Sequence, residues 1–74
     1  MAELTVEAEV GGVVVRIECE AGASLGEGDT LIVVESMKME MPVSSPGGGR
    51  VLQILVAVGD TVAEGQAVVV IEAA

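Results

Sequence analysis

The sequence repeats itself. Shifted by 37 residues, half of its 74-residue length, the chain aligns on itself without a gap. Gly11-Gly12 falls on Gly48-Gly49, Val14 on Val51, Ile17 on Ile54, Gly22 on Gly59, Glu27-Gly28 on Glu64-Gly65, Val33 on Val70 and Glu35 on Glu72. That makes nine identities over the 25 positions 11–35, and pairs such as Ser24 with Thr61 and Leu25 with Val62 keep their character. Two repeats are too few for a stacked solenoid. The halves, about 1–37 and 38–74, are therefore expected to close into one pseudo-twofold domain covering 1–74.

Each half reads as short strands separated by glycine turns. Leu4, Val6, Ala8 and Val10 alternate with Glu3, Thr5, Glu7 and Glu9, which gives one apolar and one charged face. Gly11-Gly12 turns the chain into a strand over 13–19, with Arg16 and Glu18 pointing out and Ile17 and Cys19 in. A very short strand is expected near Leu25, then a turn at Glu27-Gly28-Asp29 and a buried strand over 30–35. The second half replays this series from Met39 to Ile71. No stretch longer than about one turn has a helical period. The fold class expected is all-β: a flattened barrel or sandwich of two four-stranded antiparallel sheets, closed at the edges, of the barrel-sandwich hybrid kind.

Size and charge narrow the functions. Folding a 7.4 kDa chain leaves about 4,200 Å² of surface, so the core is thin. It must come from Val, Ile, Leu and Ala, because the chain has no Phe, Tyr or Trp. Twelve acidic residues against three basic ones give a net charge of −9, which speaks against nucleic acid and against anionic membranes. No apolar run approaches the ~20 residues of a membrane span, and no signal peptide is visible. Cys19 is the sole cysteine and His is absent, so no intrachain disulfide, metal centre or histidine-based catalysis is expected. Cys19 aligns with Val56 and reads as a buried apolar side chain. A reducing, cytoplasmic home fits this inventory.

The chemistry-bearing segment is Glu35-Ser36-Met37-Lys38-Met39-Glu40. Lys38 is the only lysine, and it lies where the two halves meet, between the buried run 31–34 and a strand restarting near Met41. A hairpin there projects its amine into solvent. Met37 and Met39 flank it as an adaptable recognition surface. Glu35 and Glu40 read as turn-flanking charges. Gly26-x-Gly28 is followed by no helix, and Gly47–Gly49 by neither lysine nor helix, so both are plain turns.

Glu-Ser-Met-Lys-Met resembles the attachment motif of biotin carboxyl carrier proteins, with Ser36 where Ala is commoner. The resemblance extends over most of the chain, through Gly12-Val13-Val14, Val58-Gly59-Asp60-Thr61-Val62, Glu64-Gly65 and Val70-Ile71-Glu72. It is strongest to short, free-standing biotinyl/lipoyl attachment proteins, which also carry an apolar-Pro-apolar run, here Met41-Pro42-Val43. The chain departs from the family at Ala23, where Asp is usual and where Asp60 stands in the second half. The segment from Gly22 to Thr30 is too short for the thumb-like loop of some carriers, and no Pro/Ala-rich linker is seen, so the chain resembles the attachment domain alone.

The resemblance implies covalent biotin on Lys38, with Glu35, Ser36, Met37 and Met39 as the turn read by a biotin protein ligase. It implies a non-catalytic carrier subunit, monomeric when isolated, that carries carboxybiotin between a biotin carboxylase subunit and a carboxyltransferase subunit. The attacking amine must be neutral, so removing its proton falls to the ligase. About a dozen bonds separate the backbone from the carboxylated nitrogen, an arm of about 14 Å. The alternative is a lipoyl carrier modified on the same lysine. Lipoyl domains usually show Asp before the lysine, whereas here both neighbours are Met.

Overall fold

A computed structural model of the chain describes residues 2–73. Eight strands follow one another: β1 Glu3–Glu7, β2 Gly12–Ile17, β3 Ser24–Leu25, β4 Thr30–Ser36, β5 Met39–Ser44, β6 Gly49–Ile54, β7 Thr61–Val62 and β8 Ala67–Ala73. Adding 37 converts β2, β3 and β4 into β6, β7 and β8 residue for residue. The strands form two antiparallel sheets, ordered β1-β8-β6-β3 and β5-β4-β2-β7. The repeat operation maps each sheet onto the other. Each sheet takes two strands from either half of the sequence, so the halves interlock instead of lying side by side.

The repeat extends to single hydrogen bonds. Leu4 faces Ile71 as Met41 faces Val34. Val14 N–H donates to the Asp60 carbonyl at 2.9 Å, and Val51 N–H to the Ala23 carbonyl at 3.0 Å. Gly12 and Gly49 show why glycine recurs: a Cβ on either would collide with the carbonyl oxygen of Glu35 or Glu72, on the strand alongside. Only a residue without a side chain lets the ladder start there.

Bulges explain the unbroken buried run. The β4–β5 register slips between Thr30 and Ile32, and β1–β8 slips at the matching place between Val6 and Glu7. The extra residues, Leu31 and Val68, shift the alternation by one, so that consecutive side chains face inward. Leu31 and Ile32, like Val68 and Val69, are fully buried in the core cluster with Val14, Val34, Val51 and Ile71. A second slip, at Val15 in β2 and Leu52 in β6, completes the set. Burying a side chain such as Leu31 contributes about 1.5–3 kcal/mol, a sizeable share of the stability of a small domain. The exposed surface is 4292 Å², close to the value that size alone predicts.

Two expectations need correction. The strand expected over 13–19 ends at Ile17, and Cys19 lies beyond it, half-buried against the core instead of enclosed in it. The expected closure into a flattened barrel is also absent: among the described residues no ladder joins one sheet to the other. The edge strands account for this. β3 and β7 are two residues long and already paired. β5 carries Pro42, which has no N–H to donate, and β1 carries exposed Glu3 and Glu7. The sandwich is held by its core.

Candidate functional site

Lys38 sits at the tip of the β4–β5 hairpin. Ser36 pairs with Met39, leaving Met37 and Lys38 as a two-residue loop with φ of 53° and 66°. Positive φ at both central residues is the geometry of the tight turn whose twist matches its strands, and its usual occupants are Asn and Gly. Here two long side chains take those places, at a cost of roughly 1–2 kcal/mol each. The hairpin tolerates this because its stem is fixed: Ile32 and Val34 on β4 are wholly buried.

Beyond Val34 the side chains of the turn lie largely at the surface. Lys38 is exposed, and among the described residues it takes part in no salt bridge or side-chain hydrogen bond. Met37 is 92% exposed and Met39 64%, so neither fills a gap in the core. Ser36 is half-buried. The structure thus brings Glu35, Ser36, Met37, Lys38 and Met39 together as one contiguous tip.

Carboxylates frame the base of the turn. Glu35 and Glu40 face each other across β4–β5. Like charges in that position repel, and Arg16 relieves one of them. Its Nη2 donates to Glu40 Oε1 at 2.9 Å, and its Nε reaches Glu18 Oε2 at 3.5 Å. The Glu40 hydrogen bond is the main reason the Arg16 guanidinium holds its proton still more tightly than usual. Glu35 has no salt bridge among the described residues. Cys19 lies outside the tip, and partial burial pushes its thiol up from the ordinary range, which disfavours the reactive thiolate. Val13 faces Glu35 from β2, is 39% exposed and aligns with Arg50 in the repeat.

What this arrangement offers is one primary amine at the end of a rigid hairpin, free of ion pairs among the described residues. One surface cleft is lined by residues such as Thr5, Glu7, Val43 and Glu64 and another by residues such as Ser24, Leu25 and Arg50, both away from the turn. The sequence profile of the biotin/lipoyl family, described as biotin-requiring enzyme, matches residues 18–71. The chain belongs to the biotin/lipoyl family.

Relatives within and around that family agree. Over 43 residues the chain is 51% identical to a biotinylated protein TB7.3 homolog of Mycolicibacterium smegmatis, covering 58% of this chain and 59% of that protein. Over 36 residues it is 47% identical to the gamma subunit of methylmalonyl-CoA decarboxylase of Propionigenium modestum, covering 49% of this chain and 27% of that one. The matches therefore span less than two thirds of these relatives. Among solved structures, the Kluyveromyces lactis urea carboxylase superposes with a TM-score of 0.92 at 32% identity, over 97% of this chain and 6% of the enzyme. A single-chain, multi-domain long-chain acyl-CoA carboxylase does so with 0.92 at 30%, over 97% and 7%. The biotin/lipoyl fold thus occurs as a small part of much larger carboxylases.

Proposed function

We propose that residues 1–74 act as one attachment domain that carries biotin in amide linkage on Lys38. In this role it moves carboxylate between the biotin carboxylase and carboxyltransferase sites of a biotin-dependent carboxylase. The observation that carries this reading is the turn itself: an exposed amine, on backbone forced into the left-handed region, flanked by two methionines left out of the core. Biotinylated relatives and carboxylase-embedded neighbours support the choice of biotin.

The residues fit the group. Biotin linked here supplies a ureido nitrogen that takes up and gives back carboxylate. The chain supplies display. Lys38 provides the amide nitrogen and a flexible stem of about 6 Å. The β4–β5 stem, anchored by Ile32 and Val34, holds that stem's root still, which keeps the cofactor at high effective concentration near both active sites. Met37 and Met39 present soft apolar surface to the enzymes that read the turn. Glu35 and Ser36 complete the segment read by the ligase. The chain contributes no acid, base or nucleophile to carboxylate transfer; it serves as a monomeric, cytoplasmic carrier.

The test is Lys38→Arg, which keeps the charge and cannot form the amide. With biotin protein ligase, biotin and ATP, the parent takes up one biotin and the variant none. In reconstitution with the partner carboxylase, the variant supports no turnover. Turnover with Lys38→Arg at the parent rate would overturn the carrier reading.

A further inference from the structure

The internal twofold provides a control within one molecule: two copies of the same backbone, one of which has the lysine turn. Val13 and Arg50 occupy equivalent positions, as do Val58 and Ala21. Arg50 lies opposite Glu72 and pairs with it at 3.2 Å. Val13 lies opposite Glu35, which has no salt bridge among the described residues. Val13 is 39% exposed and Val58 61%. The two belong to one neighbourhood: Val13 also pairs with Thr61 of β7, and the turn carrying Val58 is tied to β2 by Gly59 N–H donating to the Val14 carbonyl at 2.7 Å. Beside the lysine turn, exposed apolar surface thus stands where the other half has a salt-bridged arginine, next to a carboxylate that makes no salt bridge among the described residues.

Deepening the carrier reading, on which it rests, we propose that the biotin protein ligase docks over this β2–β7 shoulder. It would cover Val13 and Val58 with apolar side chains and set a cation against Glu35. Reach singles out the ligase among the enzymes that meet this domain. A carboxylase site is served through the full arm of about 14 Å and can stand off from the protein body. The ligase must work on the bare amine, about 6 Å from the backbone. Val13 lies one strand across from Glu35, which itself stands three residues before Lys38. Strand spacing and rise put it within about 12 Å of the turn, under the footprint of any enzyme that closes on Lys38. A chain with net charge −9 favours a basic partner surface.

The variants come from the molecule's own other half. Val13→Arg copies Arg50 and gives Glu35 an internal cation; Val58→Ala copies Ala21. With purified ligase, biotin and ATP, each raises KM for the carrier, Val13→Arg by at least fivefold, while kcat stays within twofold. Arg50→Val, at the mirror position, leaves KM within twofold. Melting curves check folding, and if Val13→Arg does not fold, Val13→Thr serves with an expected KM rise of about threefold. A KM for the folded Val13 variant within twofold of the parent overturns the docking surface. A parent that takes up no biotin would strike the carrier reading itself; a parent modified normally beside an equally good Val13 variant strikes this surface alone.

Discussion

The Asp60 carboxylate accepts a hydrogen bond from the Ala57 amide at 2.9 Å. In the first half Ala23 stands in place of Asp60, and among the described residues no side chain satisfies the Glu20 amide in that way. The backbone turns are otherwise alike, with Ala23 N–H to the Glu20 carbonyl at 3.1 Å and Asp60 N–H to the Ala57 carbonyl at 3.0 Å. Ala23→Asp should therefore stabilise the fold by about 0.5–1 kcal/mol, and Asp60→Ala should cost about 1 kcal/mol. In a domain of this size that corresponds to roughly 4–8 °C in Tm per kcal/mol. Thermal melts of the two variants, moving in opposite directions, check it.

Strain at the lysine turn gives a second prediction. Replacing Met37-Lys38 by Asn-Gly installs the residues this turn geometry prefers. The double variant should gain about 1–2 kcal/mol in denaturant melts and lose all biotin uptake. Met37→Asn alone should be more stable than the parent and a poorer ligase substrate, with a raised KM.

Cys19 predicts a pH dependence. Its thiol is pushed up by partial burial, so the folded state favours the neutral form. That contribution is fully present below the unfolded thiol value of about 8.5 and is lost as pH rises through the higher folded value. The parent should lose stability as pH rises above the unfolded thiol value of about 8.5 relative to Cys19→Val, which takes the residue of its repeat counterpart Val56. Parallel urea melts across that range would show the two curves diverging; parallel curves would rule out the effect.

Much of this was legible in the chain because the two halves align without a gap. The short strands at Leu25 and Val62 and the turn at Lys38 follow from glycine spacing and alternation. The bulges at Leu31 and Val68 were not legible: a slipped register leaves the same apolar run that a fully buried strand would. Edge closure was misread because sequence periodicity reports faces and not edges; Pro42 and the two-residue β3 and β7 keep the sheets apart. At the site, Lys38 and its methionines stood out by uniqueness and symmetry. The pairing of Arg16 with Glu40 did not, since it crosses β4 between residues 24 positions apart.

The central claim is that Lys38 carries biotin. Intact mass and peptide mapping of the protein isolated from its own cells test it most directly. The account predicts a gain of about 226 Da, biotin less one water, on the peptide containing Lys38 and nowhere else. A gain of about 188 Da, the lipoyl value, or a Lys38 that is bare in every molecule, would contradict it.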